Sequence, residues 1–271
     1  MSKGFKAELT HLAPILTSVL FSVGCAYILM ESQLEPYRVT PFPESPAGSF
    51  GNALCFVLLV GLGALVIFFF LKKKSYKLIV IITGSALVSV VFVLSMVYFY
   101  AFSTVFAPLP NEASVAVSSV ITAAAGYVVL ATKSRLGDFL VLLLGGALGA
   151  FLGACIQTLS TALILCFLAV YDIFAVYRGL IGKIAHVGLE KLRGLSFSFG
   201  DIQMGLGDLT FSMLVGHMLI YFGFLPCLAS MAGVLLGCFL AFKQLERSEI
   251  FPGLPIPIFL GLAFGFLAAL Y

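Results

Sequence analysis

Two aspartates lie inside long apolar segments of this chain, and no other acidic residue is placed so deeply. Asp172 lies in the run Cys166–Tyr177, and Asp208 lies in the run Met204–Ser212. A charged residue at the centre of a membrane helix costs about 3 kcal/mol, so such residues usually face a partner or a water-filled cavity. The alternative is a protonated carboxyl that only hydrogen-bonds a neighbouring helix. The two aspartates are therefore the first candidates for chemistry.

The depths of the two aspartates predict that they face each other. Asp172 precedes Arg178 by six residues, and Asp208 follows Asp201 by seven. One aspartate therefore lies just before the charged loop 178–203, and the other lies just after it. At helical rise, each carboxyl lies about 9–11 Å inside the same membrane boundary. Two carboxyls at close range share a proton, so that one activates water and the other protonates an amide nitrogen. This chemistry is that of aspartic proteases, and it needs no metal and no cofactor.

The composition indicates an all-α membrane protein in a single domain, 1–271. Apolar residues make up 61% of the chain and charged residues 10%, whereas soluble domains carry about 25% charged residues. The basic residues form no stripe of the kind that binds nucleic acid. Nine apolar runs are long enough for membrane-spanning helices: 12–30, 52–71, 78–102, 113–131, 139–155, 157–177, 204–222, 224–242 and 252–271.

The distribution of basic residues predicts the orientation of these nine helices. With the N-terminus in the cytoplasm, 14 of the 15 lysines and arginines fall in cytoplasmic segments, and only Arg38 falls outside. The positive-inside rule therefore favours a cytoplasmic N-terminus and a C-terminus outside. The long loop 31–50 is then an outer cap. The cytoplasmic loop 178–203 joins helices 1–6 (about 12–177) to helices 7–9 (about 204–271), and its segment 195–199 alternates like a short strand.

Glycines and prolines accompany the aspartates at the same predicted end of the bundle. Gly205 and Gly207 lack side chains at the start of the seventh helix, where an extended peptide could approach Asp208 closely. The run Phe251–Pro257 contains three prolines at the start of the ninth helix, which keep the backbone extended and remove donors.

In combination, these motifs resemble those of presenilin and signal peptide peptidase, the intramembrane aspartyl proteases. Tyr171 and Asp172 match the YD motif of that family. Gly205, Leu206, Gly207 and Asp208 match its GxGD motif. Pro252, Gly253 and Leu254 match its PAL motif, with glycine in place of alanine. The chain looks most similar to the compact archaeal presenilin homologues.

This resemblance implies an intramembrane aspartyl endopeptidase that cleaves transmembrane segments of other membrane proteins. Asp172 and Asp208 would be its catalytic residues. The remaining motif residues would shape the site and position the substrate: Tyr171, Gly205, Leu206, Gly207, Pro252, Gly253 and Leu254. The protein is expected to be a multi-pass protein of an archaeal cell membrane, with its active site near the cytoplasmic side. The substrate is expected to pair with 195–199 by strand addition, and the oligomeric state stays open, a homo-oligomer included.

Two other functions use paired acids in a membrane. Prepilin and preflagellin peptidases also have two aspartates and a GxGD motif, but they typically have fewer helices and lack the YD and PAL partners. A cation channel or proton-coupled transporter would use intramembrane acids for ion passage. The segment at Pro252–Leu254 and the long loop 178–203 favour the protease. His217 lies nine residues after Asp208, about half a turn around the helix, and is expected to face away from it.

Overall fold

The structure is a computed structural model that describes residues 7–32, 39–43, 45–106, 110–131, 135–177, 197–199, 202–204, 207–246 and 251–271. A 3-10 turn, Leu9–Leu12, leads into the first helix. The described helices are α1 (Ala13–Glu31), α2 (Pro46–Lys72), α3 (Tyr76–Val105), α4 (Asn111–Ala131), α5 (Arg135–Cys155), α6 (Thr158–Tyr177), α7 (Gly207–Phe222), α8 (Phe224–Leu245) and α9 (Pro255–Ala268). Two strands, β1 (Phe197–Phe199) and β2 (Ile202–Met204), pair as an antiparallel hairpin.

Seven of the described helices are long and apolar enough to cross a membrane. The other two, α7 and α9, are shorter apolar helices. With 16 and 14 residues, they are about 24 and 21 Å long, less than the roughly 30 Å of a bilayer core. The nine predicted segments thus correspond to described helices, while nine complete crossings and the orientation of the termini stay predictions.

Helix α7 is the centre of the bundle. It contacts α1, α5, α6, α8 and α9, and every residue from 210 to 219 is buried. By contrast, large apolar side chains of α2 and α3 are exposed, among them Leu59, Leu62 and Ile81. Exposed apolar side chains of this kind are suited to lipid, so α2 and α3 lie at the periphery and α7 in the interior.

Glycines let two pairs of helices approach to backbone contact. A Cβ atom on Gly149 of α5 would lie 2.8 Å from the Leu209 carbonyl oxygen, and one on Gly153 would lie 2.7 Å from the Met213 carbonyl oxygen. Gly237 of α8 lies in the same way against the backbone of Pro257 at the start of α9. Small residues at such crossings are typical of membrane helices, which associate through close packing. The positions of α7 and α9 therefore depend on glycine faces of their neighbours.

Several helix starts depart from the sequence predictions, and two of them have a local cause. Helix α2 begins at Pro46 because the Ser45 hydroxyl caps it by accepting a hydrogen bond from the Gly48 amide at 3.0 Å. This start shortens the predicted outer loop 31–50. Met204, predicted to begin the seventh helix, instead belongs to β2, and the helix begins at Gly207. The predicted all-α class therefore omits one hairpin. Its strand β1 falls within the predicted strand 195–199, of which residues 195 and 196 lie outside the described residues.

Candidate active site

Asp172 lies in the last two turns of α6, half-buried, and its carboxylate is held by backbone of the PAL-like segment. The Leu254 amide donates a hydrogen bond to Oδ2 of Asp172 at 3.0 Å. This bond joins the YD and PAL-like motifs, which lie about 80 residues apart in the sequence. The sequence placed both motifs at one end of the bundle, and the structure brings them into direct contact.

Proline chemistry explains why the Leu254 amide is available to the carboxylate. Leu254 is the N-cap of α9, so its N–H has no partner within the helix. Pro255 and Pro257 occupy the first and third helical positions and have no N–H of their own. The start of α9 therefore directs few donors toward the site, and the Leu254 amide is one of them.

Gly253 is exposed, and a Cβ atom built on it would meet nothing within 4 Å. Its backbone is not among the described glycines with positive φ. The site therefore accommodates the alanine that the family motif has at this place. The adjacent Pro252 is buried, which anchors this short non-helical segment in the protein.

Asp208 is the second residue of α7, and hydrogen bonds at the opposite end show which way α7 runs. Nε2 of His217, near the end of α7, lies 3.1 Å from the hydroxyl of Thr158, the first residue of α6. Helices α6 and α7 are therefore antiparallel, so the end of α6 that carries Asp172 lies beside the start of α7. The Asp208 side chain and residues Gly205 and Leu206 lie outside the described residues. The separation of the two carboxyls thus stays a prediction.

The three helices that follow or carry the motifs contact one another pairwise. Helix α6 contacts α7 and α9, and α7 contacts α9. We call the end of the bundle formed by the C-terminus of α6 and the N-termini of α7 and α9 the aspartate end. Tyr171, half-buried beside Asp172, faces α2, where a Cβ atom on Gly61 would lie 3.9 Å from its ring. All described motif residues therefore gather at the aspartate end.

His217 has a larger role in the bundle than the sequence indicated. It is 1% exposed, and its Nδ1 lies 2.8 Å from the Gly153 carbonyl oxygen. A carbonyl only accepts hydrogen bonds, so Nδ1 carries the proton, and in the neutral ring Nε2 accepts from the Thr158 hydroxyl. The ring therefore joins α5, α6 and α7. Its direction away from Asp208 was predicted, but its two partners lie on other helices and no sequence signal identifies them.

The comparisons with known proteins bear on this fold. No protein-family model matches the chain, and no curated protein matches it. Among solved structures, a presenilin family intramembrane aspartate protease in space group C222 superposes with a TM-score of 0.70 at 20% identity, covering 96% of this chain and 98% of its own. A structure of a presenilin family intramembrane aspartate protease in space group P2 superposes with a TM-score of 0.69 at 21% identity, covering 98% of this chain and 99% of its own.

The chain has the presenilin fold. The agreement extends over helices α1 to α5, where the sequence offered only topology for comparison. It also covers almost the full length of both chains, so the presenilin fold accounts for the whole described bundle rather than for the motif region alone. At this level of identity the likeness concerns the fold, and the roles of individual residues are proposals.

Two substitutions in the PAL-like segment should distinguish the contribution of its side chains to stability from that of its backbone. We expect Gly253→Ala to leave stability unchanged, because its Cβ has space. Leu254→Pro removes the N–H that Asp172 accepts and should lower the free energy of unfolding by about 2 kcal/mol. The φ of −85° at Leu254 is close to the range of proline. Unfolding in a denaturing detergent measures both, with Leu254→Ala as the control that keeps the amide; equal stability of the alanine and proline variants would contradict the role of the hydrogen bond.

The His217–Thr158 hydrogen bond can be tested with a double-mutant cycle. Thr158→Val removes the donor, and His217→Asn keeps a donor for the Gly153 carbonyl but loses the acceptor for Thr158. Each change should lower the free energy of unfolding by about 1 kcal/mol, and the double variant should lose little more than either single one. Thr104→Val, whose hydroxyl bonds only to its own helix, is the control and should be additive with His217→Asn. Additivity at Thr158 as well would show that the two residues are not coupled.

Proposed function

We propose that the chain is an intramembrane aspartyl endopeptidase in which Asp172 and Asp208 form the catalytic pair. The observation that carries the proposal is the Leu254–Asp172 hydrogen bond, because it unites two of the three motifs at one carboxylate. The His217–Thr158 contact shows that α6 and α7 are antiparallel. This arrangement supports a place for the third motif, GxGD, at the same end, because the start of α7 carries Asp208. The presenilin fold agrees with this arrangement.

The proposed reaction is hydrolysis of a peptide bond by water. One carboxylate takes a proton from the water as the water oxygen attacks the scissile carbonyl carbon, which gives a tetrahedral intermediate whose former carbonyl oxygen carries the negative charge. The other carboxyl donates its proton to the amide nitrogen, and the carbon–nitrogen bond breaks. The backbone hydrogen bond from Leu254 orients the Asp172 carboxylate for this exchange.

Water has to reach the carboxyls for this reaction, and two short helices favour its access. Helices α7 and α9 are both shorter than a bilayer core and both begin at the aspartate end. At the other end, α7 turns into α8 through the single residue Gly223, whose φ is 94°. Backbone that is not helical at membrane depth is stable only when buried in protein or facing a water-filled cavity. The non-helical segment 251–254 is therefore consistent with a hydrated site.

The proposed substrates are transmembrane segments of other membrane proteins. A helical peptide bond is shielded by its own turn, so the scissile stretch has to become extended before a carboxyl pair can act on it. We place the reaction at the cytoplasmic side, as the distribution of lysine and arginine favours, and the chain in an archaeal cell membrane, as the motif resemblance favours.

Removal of either carboxyl tests the proposal. The protein is incubated with a single-span substrate tagged at both ends, with and without a transition-state analogue of aspartyl proteases. We expect Asp172→Asn and Asp208→Asn each to lower cleavage about a thousandfold or more. Asp138→Asn, in the first turn of α5, is the matched control and should cleave like the wild type. Cleavage that persists in both site variants would disprove the protease, and aspartate-dependent cation flux through an inert wild type would favour a channel.

Substrate binding is proposed to extend the β1–β2 hairpin by one strand. The hairpin pairs Phe197 with Met204 and Phe199 with Ile202, and β2 ends three residues before α7 begins. A peptide added to this sheet would run close to the start of α7 with its backbone extended. Deleting Ser196–Ser198 should therefore raise KM more than it lowers kcat, by about tenfold or more. An unchanged KM for a single-span substrate would rule out strand addition here.

A further inference from the structure

The turn between α2 and α3 carries four exposed lysines within six residues. We call Lys72, Lys73, Lys74 and Lys77 the lysine turn. The apolar run Phe68–Leu71 ends directly before it, and Leu78 follows directly after. Since α2 and α3 both span the membrane by length and composition, the lysine turn lies at the level of the lipid headgroups.

Two contacts show that α2 runs in the same direction as α6. Asn52 of α2 donates to the Ser160 hydroxyl at 3.1 Å near the start of α6. Farther along both helices, Gly61 lies next to the ring of Tyr171. The C-terminus of α2 therefore points toward the aspartate end, and Lys72 lies about 16 Å beyond Gly61 along the helix. The lysine turn is thus on the same side of the membrane as the proposed active site.

Lys74 occupies a backbone conformation that favours glycine. Helix α2 ends with paired hydrogen bonds from the Lys74 amide to the Leu71 carbonyl at 2.9 Å and from the Ser75 amide to the Phe70 carbonyl at 3.0 Å. This arrangement requires a left-handed residue, usually glycine, and Lys74 has φ 54°, alone among the described non-glycine residues. Glycine would adopt this conformation at lower free-energy cost. Backbone conformation therefore does not explain why this position has a lysine.

The helix ends account for only two of the four charges, and ion pairs in the described part of the chain account for none. Lys72 and Lys73 lie at the C-terminus of α2, where a cation is favourable. Lys77 is the second residue of α3, at the positive end of that helix, where a cation is unfavourable. No carboxylate in the described part of the chain forms an ion pair with any of the four. The lysine turn therefore concentrates positive charge without an anionic partner in the described protein.

The surroundings of the lysine turn leave it facing the membrane surface. Leu71 and Ile79 pack with Ile67, Phe68 and Phe70 in a cluster separate from the main core. The ammonium of Lys73 lies 4.4 Å from the centre of the Phe69 ring, which is 51% exposed. A lysine that folds along an apolar surface keeps its charge at the interface. Here that interface is with the lipid.

We propose that the lysine turn is a binding surface for phosphate-bearing, anionic lipid headgroups. The lysines are held at headgroup level by the two helices, where each near-surface lysine attracts anionic lipid. Lipid phosphate rather than free phosphate is the expected partner, because the acyl chains would contact the exposed apolar faces of α2 and α3 next to the lysines. The proposal does not rest on the protease function.

The absence of tryptophan from the chain allows a direct test. Phe69→Trp places a single fluorophore beneath Lys73 and keeps an aromatic ring for its ammonium. The full chain is reconstituted in phosphatidylcholine vesicles that contain brominated phosphatidylglycerol or brominated phosphatidylcholine at equal mole fraction. We expect the brominated anionic lipid to quench at least about threefold more effectively, and high salt to reduce the difference. Equal quenching by the two lipids would overturn the proposal.

Charge variants on this background separate the lysine turn from net charge. Changing all four of its lysines to glutamine should abolish the preference for the anionic lipid. Changing Lys3, Lys6, Lys243 and Arg247 to glutamine removes the same charge elsewhere and should preserve it. If the control variant loses as much preference as the lysine-turn variant, or if millimolar inorganic phosphate abolishes the preference in the parent, the lipid surface is disproved.

Lys74→Gly excludes misfolding as an explanation. It relieves the left-handed conformation and should raise the thermal midpoint by about 2 °C, while it lowers the preference for brominated phosphatidylglycerol. A more stable variant that binds anionic lipid less well supports the proposal. A more stable variant with an unchanged preference would show that Lys74 takes no part in lipid binding, and the surface as defined would be wrong.

Discussion

A carboxylate inside an apolar bundle needs donors from the protein, because lipid supplies none. At Asp172 such a donor is the Leu254 amide, in the segment before α9. This hydrogen bond ties the start of α9 to α6. The prolines of α9 have no backbone N–H groups, so they do not compete with the Leu254 amide for the carboxylate. A short hydrogen-bonded contact thus determines where two helices meet.

The sequence was sufficient to predict the helices and the end at which the motifs gather. Apolar runs of about 20 residues are specified locally, and the lipid environment leaves few alternatives to a helix. The predicted helix starts were less accurate where a cap or a neighbouring hairpin determines the start. The Ser45 cap extends α2 by six residues beyond the prediction, and the hairpin displaces the start of α7 beyond Met204. These are small energetic preferences that an apolar pattern does not contain.

Within the site, the sequence placed Leu254 near Asp172 but did not show how they touch. Matched depth predicts that Asp172 and Asp208 lie at one level, and this stays a prediction. The amide that binds Asp172 and the hydroxyl that binds His217 belong to other helices, so they depend on how the helices pack. Packing here rests on glycines such as Gly149 and Gly237, whose contacts become evident only in three dimensions.

The glycine contact between α5 and α7 has a consequence for motion. Backbone lies against backbone at Gly149 and Gly153, and α7 is enclosed by five other helices, so it cannot slide or tilt without separating these surfaces. Helix α6 packs less extensively on α7 and borders the peripheral helix α2. The packing therefore favours displacement of α6 over displacement of the Asp208 helix as the source of any change in the distance between the two aspartates.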